Sequence, residues 1–554
     1  MTTSCEFEFG FWDVTAREDA AFLVSSNQPF AHIEDMNTEN GAEFPDVVTL
    51  EPGFGWPLDG SKVWFPSDSS AYTWGWWSEE LSGEDGGFSN PPKLITTFTE
   101  NHSSAGVTLR FYATLPKTVN IKWYDLSGRL LADEDFSPDS MLYFCDCLVE
   151  NYGKVVITIP AMSAAQRFLR CTYILFGALE ILDGTRVEKA TLCEEVSPVG
   201  LTLPINTLTL SFHDDKGRFR LLDPSGAYRL FQWKQQVAAT ATVDGKRRGM
   251  GIFYLQEMEG EVDSLVDLQL VNIVGILDTI DFDGGIYEDV PVRELLDAIL
   301  GPEGIEYSLD AGFEGETLCG YLPIGSKRCA LQQIAVALGA VVDTTREEII
   351  RIYPMPTVAD HTVTPARKIV GHRAVLEELF TRVDVTAHTY QLSEETRELS
   401  KTVELPGHRR ITFRAPAAVE AVTGGTLVES HHNYAVVDVA AEGEVLVTGR
   451  EYVDNTTIYT AQIDPLPAGV KSSTKPIKDA TLIDPARASA VARRLLSYYQ
   501  MRYTDEGQLL PGDEKIGQVI ELQSIGGKSL TGPIQRLTVD LTGGHLIKAT
   551  MRGA

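Results

Sequence analysis

The chain has 554 residues, 43% apolar and 23% charged, a globular composition long enough for several domains, which excludes a disordered chain and a single small module. Its 47 Lys and Arg against 78 Asp and Glu leave a formal charge of −31, the wrong sign for gripping nucleic-acid phosphates or an anionic membrane, so sequence-specific nucleic-acid binding is excluded. Residues 1–180 hold 26 of the acidic and 10 of the basic side chains and seven of the eight tryptophans, which marks them as a separate unit.

The opening MTTSCEFEFGFW has neither a basic segment nor an apolar core, so no signal peptide is expected. No run of 18 apolar residues predicts a membrane span. Seven cysteines, an odd number spread thinly, argue against a disulfide framework. Cys145 and Cys147 fall on one face if they lie in a strand, and read as small apolar residues rather than as metal or redox thiols.

In chain order, Val119–Tyr124 alternates apolar and polar residues and runs into the turn Asp125-Leu126-Ser127-Gly128; Val155–Ile159 and Arg170–Phe176 are further strands. Short strands between Gly, Pro, Asn and Ser turns predict a β-sandwich over residues 1–180. Residues 181–288 read as a small antiparallel barrel or sheet, with Thr207–Phe212 a strand and Val237–Val243 turning through Asp244-Gly245 into Gly251–Leu255. The period then changes. Val292, Leu295, Leu296, Ile299 and Leu300 share one helical face and stop at Gly301-Pro302, and Ser326 caps a second helix that ends at Gly339. With strand Glu348–Tyr353 these make a small α/β unit, residues 289–357.

Strands return over 358–554: Val383–Tyr390, Arg410–Arg414, and a hairpin of Ala435–Val439 with Glu444–Thr448. A helix over 485–503 interrupts them, with Asp484 as cap, Pro485 in the first turn, and Val491, Leu495, Tyr498 and Arg502 on one face. The end is a hairpin in which Leu537, Val539 and Leu541 alternate with polar residues, Gly543-Gly544 turns, and Ile547, Ala549 and Met551 alternate again. The fold class is therefore mainly β with α+β parts.

Reaction motifs are absent: no G-x-S-x-G, H-E-x-x-H or C-x-x-C occurs. Gly527-Lys528-Ser529 lacks the first glycine of a phosphate loop and reads as a turn, and Asp281-Phe282-Asp283-Gly284 lacks the first and twelfth ligands of a calcium loop. His431 and His432 would point to opposite faces of a strand, and His372, His388 and His408 have no partner at ligand spacing. Neither a metal, a cofactor nor a catalytic residue is expected. Trp74, Trp76 and Trp77, in YTWGWWSEE, are the candidate site residues: an exposed indole offers a flat apolar face on which a sugar ring stacks, whereas buried indoles would staple the sandwich core, and the alternation of a strand sends Trp76 and Trp77 to opposite sides.

A series of segments carries a resemblance. SPVGLTLPINTLTLSFHDDKGRF (197–219), GIFYLQEMEG (251–260), VPVRELLDAIL (290–300), YLPIGSKRCALQQIAVALGA (321–340), GREYVDNTTIY (449–459), ARRLLSYYQMRY (492–503) and PIQRLTVDLTGGHLIKATMRG (533–553) together resemble the tail hub, or tail-tip, proteins of bacteriophages and prophages. LEPGFGWPLDG (50–60), GWWSEELSGEDGGFSNPP (75–92), SSAGVTLRFY (103–112), NIKWYDLSGRLL (120–131) and VENYGKVVITI (149–159) resemble the discoidin-like, galactose-binding-type jelly-roll sandwich that precedes some of these hubs.

The resemblance implies two tube-like β-barrels per chain, residues 181–288 and 358–554, flanking the α/β insert 289–357, and a homotrimer whose six barrels form a ring. The implied partners are tail-tube and distal-tail proteins, the tape-measure protein, a spike or receptor-binding protein, and a host-surface glycan for the sandwich. The implied location is the virion tail, after synthesis in the host cytoplasm. A lumen lined by carboxylates would let DNA slide through without sticking. Many such proteins continue into a wall-degrading extension, and this sequence stops two residues after Arg552, so a structural rather than enzymatic role is expected. Competing readings are a carbohydrate-binding protein for host attachment and a cell-wall glycan hydrolase.

Overall fold

The computed structural model describes residues 3–12, 14–33, 36, 48–54, 74–214, 235–260, 265–369, 371–512, 514–523, 528–542 and 544–554. The chain divides into two compact units, one built mainly on Glu8–Ile181 and the other mainly on the first seven residues and the chain from Leu182 onward.

In the first unit, seven antiparallel strands run in the order Trp76–Trp77, Arg170–Leu175, Lys93–Phe111, Leu142–Met162, Pro116–Tyr124 and Leu130–Phe136, with Ala21–Val24 also paired to Lys93–Phe111. The two longest strands are one ribbon whose register slips three times between Thr97 and Gly106. Such bulges bend and twist a ribbon, so its halves fold over a single core that contains Leu94, Val107, Leu109, Ile121, Trp123, Val155 and Ile157. Gly106 makes one bend: its φ is +149°, and a Cβ there would strike the Cys145 carbonyl. Cys145 lies in this core and Cys147 at its margin, and all seven cysteines are free thiols. Burial pushes the Cys171 thiol up to about 12, which keeps it protonated and unreactive.

In the second unit the mainly β expectation holds, with α+β parts around Val292–Leu300, Lys327–Leu338 and Pro485–Gln500. The caps are those the sequence carries. Ser326 accepts from the Cys329 amide, Asp484 from the Arg487 amide, and Gly339 sits in the left-handed region at φ +71°. The last helix stops at Gln500 rather than 503, and Tyr499, not Tyr498, joins its buried face. The reason lies downstream: Tyr503 opens a strand, and the Arg502 guanidinium donates to the Glu377 carbonyl. All three helices pack into one core, with Leu295, Leu331, Val383 and Leu495 among its members.

The barrels take a different form from the one expected. The hydrogen-bonded order within a thirteen-stranded sheet is Arg373–Leu376, Tyr503–Leu509, Leu546–Gly553, Ser529–Asp540, Val187–Glu195, Thr207–His213, Leu265–Val271, Lys246–Gly260 and Gln236–Val243. Segments 181–288 and 358–554 therefore share one open sheet, and among the described residues neither closes into a barrel of its own. Closure of the first would need a free edge on Val187–Glu195. That strand pairs with Thr207–His213 on one side and, from Thr191↔Asp540 to Glu195↔Arg536, with the C-terminal hairpin on the other. Alternation along a strand records which face is buried but not which strand lies alongside.

Between Val383 and Ile458 a long ribbon departs from that sheet. Arg382–Glu404 and Gly443–Gln462 pair along their lengths, and four short strands between them enclose a small core of Ile411, Val437, Val445 and Val447. The expected eight-residue strand at 383–390 is thus the first third of a strand of 23 residues. The polar run SEETRELSK hid the rest, because a ribbon solvated on both faces shows no alternation.

Candidate functional site

The three tryptophans are brought together and buried. Trp74 is 0% exposed, and Trp76 and Trp77 are 1% exposed. Trp76 enters the main sandwich core and Trp77 faces the other way, as strand alternation requires, but that second side is also covered. Phe30 packs edge-on to Trp74 and Trp77 at 5.3 and 5.2 Å, Phe168 lies 6.2 Å from Trp77, and the Arg170 guanidinium sits 4.5 Å over the Trp77 ring. Of the two readings of these indoles, exposed faces for a sugar or staples of the sandwich core, the burial fits the second, since the rings are enclosed by protein. Two of the polar edges are satisfied by backbone: Trp76 Nε1 donates to the Ser26 carbonyl at 3.1 Å and Trp77 Nε1 to the Trp74 carbonyl at 2.9 Å.

Arg170 is held in place by Glu51, and both side chains are 1% exposed. Glu51 also accepts from the Phe168 amide at 2.9 Å and the Thr49 hydroxyl at 2.6 Å, so with Arg170 the buried carboxylate has three donors, which offsets part of the cost of holding charge in a dry interior. Sequence reading missed this pair. Its members lie 119 residues apart, and no local signal links them.

Beside Trp76 is an open polar cavity of about 440 Å³, lined by Ser25, Ser26, Ser78, Glu79, Glu80, Phe88, Asn90, Pro91, Pro92 and Lys93. Trp76 builds its wall rather than lining it, by fixing the Ser26 carbonyl. The Gln28 amide ties the Ser78 and Glu79 carbonyls at 3.1 and 2.9 Å, and the Lys93 amide donates to the Ser25 hydroxyl at 2.9 Å. Hydroxyls, carboxylates, one amide and one ammonium around a single aromatic ring form a lining able to hydrogen-bond a polyhydroxylated ligand.

The second unit is organised by buried ion pairs rather than by a reactive cluster. Glu194 accepts two bonds from Arg346 at 3.0 and 2.8 Å, joining the sheet to the loop after Ala340–Asp343. Glu514, 0% exposed, is bound by Arg367 and lies 3.2 Å from His361. Burial pushes its carboxyl up, and the Arg367 hydrogen bond and charge together with His361 outweigh it, so the carboxyl titrates below the ordinary range.

The remaining sequence candidates are structural. His372 bonds Asp505 and the Gln508 carbonyl, His388 bonds Asp454 and the Lys478 carbonyl, and His408 is exposed. His431 stacks on Tyr434 at 4.7 Å, while His432 accepts from the Ile286 amide and is held below the usual imidazole range by burial and by His431. Asp281–Phe282 is a short strand paired with Gly325–Ser326, and Asp283, beyond it, pairs with Arg410 while its carbonyl accepts from Asn433. No group of three or more metal-type ligands occurs among the described residues. Gly527 and Gly543 lie outside the described residues, and Ser529 opens a strand.

No family model matches the chain, and no curated protein does. Among solved structures, its neighbours include a prophage tail protein from Listeria monocytogenes, at 11% identity over 68% of this chain and 91% of that one with a TM-score of 0.39. A tail protein from Neisseria meningitidis is similar at 11% identity over 66% and 92%, with a TM-score of 0.40. A family 32 carbohydrate-binding module from C. perfringens, solved in complex with galactose, aligns over 31% of this chain and 99% of its own at 8% identity and a TM-score of 0.19. Likeness at these TM-scores carries no weight for function. No helix among the described residues is long and apolar enough to cross a membrane.

Proposed function

We propose that the chain is a structural hub of a phage or phage-like tail, a trimer whose copies complete a tube wall at the tail tip and join the tail tube to a spike or receptor-binding protein. One observation carries the reading: the two β-rich segments, far apart in sequence, are joined edge to edge by Val187–Glu195 into an open thirteen-stranded sheet. Open sheets of that width curl, and a curled sheet that does not close leaves edges that must be covered. Symmetric copies cover them by continuing the wall. The edge strand Arg373–Leu376 is four residues long and leaves Leu376 exposed, an apolar edge residue suited to a neighbouring copy. The charge of −31 fits a conduit that repels DNA, and the resemblance to tail hubs supplies the partners, including distal-tail and tape-measure proteins. The role is non-enzymatic. Native mass spectrometry and negative-stain microscopy test this: a threefold ring is expected, and a strictly monomeric protein that never enters tail particles refutes it.

A second reading concerns the first unit, where the 440 Å³ polar cavity favours binding of a host-surface glycan. It shifts the recognition surface from the tryptophans to Phe88, Asn90 and Lys93. Titration with galactose and with host-wall oligosaccharides, comparing wild type with Phe88→Ala and Asn90→Ala, decides it; binding unchanged in both variants, or none to wild type, rules it out.

A further inference from the structure

A second cavity, of about 590 Å³, lies wholly in the unit that begins at Leu182 and differs in kind from the polar one. Its walls include Phe313, Pro354, Met355, Tyr498, Met501 and Pro533, and one charged side chain, Arg494. That volume is in the range of sites for small organic ligands, which are mostly apolar with a few placed polar groups. Two thioethers in the lining let the walls adapt to a flexible occupant.

Arg494 sets the chemistry. Its guanidinium donates to the Leu338 and Val336 carbonyls at 3.1 and 2.9 Å, at the C-terminal end of Lys327–Leu338, and lies over Gly339, where any Cβ would collide with it. These are neutral acceptors. Among the described residues its hydrogen bonds go to these carbonyls and to no carboxylate, and its Nε is buried without an acceptor. Burial and the nearby Arg487 charge lower its pKa to about 10, the direction expected of a cation lacking a counter-ion. This chain carries 78 carboxylates, so a half-buried arginine left without one at the wall of an apolar cavity is a place where an incoming anion would be stabilised by charge-assisted hydrogen bonds.

We propose that the cavity binds an apolar monocarboxylate, with its carboxylate on Arg494 and its alkyl or aryl body against Phe313, Met355, Tyr498 and Met501. The same chemistry is offered by a free alkanoic acid and by the C-terminal residue of an apolar chain. The site is independent of the hub reading, since it needs only one copy of the chain.

Calorimetric titration of the full chain provides the test, with decanoate, decanol, and acetyl-trileucine as free acid and as amide. Saturable one-to-one binding is expected for at least one of the two carboxylates, at least tenfold tighter than for its uncharged counterpart, and the tighter of the two carboxylates identifies the source. Arg494→Met removes that tenfold preference and Arg494→Lys retains part of it. Because Arg494 also caps a helix, Ser497→Trp serves as the second variant: Ser497 is an exposed cavity-lining residue, and filling the cavity there lowers binding at least tenfold without touching the cation. Equal binding of acid and uncharged counterpart in both pairs, no saturable binding by folded wild type, or full affinity retained in Ser497→Trp overturns the proposal.

Discussion

Replacing Trp77 by alanine separates a structural tryptophan from a ligand-binding one. The indole is 1% exposed, donates to the Trp74 carbonyl at 2.9 Å, touches Phe30 and Phe168, and carries the Arg170 guanidinium 4.5 Å above its ring. Truncating a buried tryptophan costs about 3–5 kcal/mol in transfer and cavity terms. For a unit of this size, at about 2–4 °C per kcal/mol, the melting temperature should fall by about 6–20 °C. Trp77→Phe, which keeps a ring under Arg170, should lose markedly less. The assay is a thermal melt followed by intrinsic fluorescence, which reports this unit because seven of the eight tryptophans lie in residues 1–180. A Trp77→Ala protein that melts within about 2 °C of wild type while losing affinity for a glycan would refute the buried-staple reasoning.

Glu194→Ala should destabilise the second unit by about 3–5 kcal/mol, because it strands the buried Arg346 charge, whereas Glu194→Leu with Arg346→Met should cost far less; urea unfolding followed by far-ultraviolet circular dichroism compares the two. The Glu514 carboxyl is depressed in the folded state, so the stability it contributes is present above its unfolded pKa of about 4.3 and disappears as pH falls through the lower folded value. Glu514→Gln should therefore melt lower than wild type at pH 7 and converge with it at strongly acid pH; melting curves that stay parallel from neutral to acid would count against the assignment. Gly106→Ala should lower the melting temperature of the first unit, since φ +149° and the Cys145 carbonyl both exclude a side chain, at a strain of about 1–3 kcal/mol; an unchanged melt would show that the ribbon bend relaxes without it.

Features with a local cause were legible in the residues. Ser326, Gly339, Asp484 and Pro485 set helix ends because capping acts within one turn. Asp244-Gly245, at φ +48° and +78°, makes the hairpin turn because these residue types tolerate the left-handed backbone that the turn demands. The strand alternation of Trp76 and Trp77 was likewise readable. What covers the outer side of Trp77 was not, since Phe30, Glu51, Phe168 and Arg170 come from distant parts of the chain.

The same division holds for the sheet. The apolar pattern of Val187–Glu195 determines that one face is buried, but its backbone amides and carbonyls are the same chemistry on both edges. Only the packed chain decided that the second edge takes Ser529–Asp540 and so joins two β-rich segments in one open wall. Helix caps, turns and alternation are written within a few residues; strand neighbours and the counter-charges of buried ions are chosen across hundreds, by which edges and which charges the whole chain leaves to be satisfied.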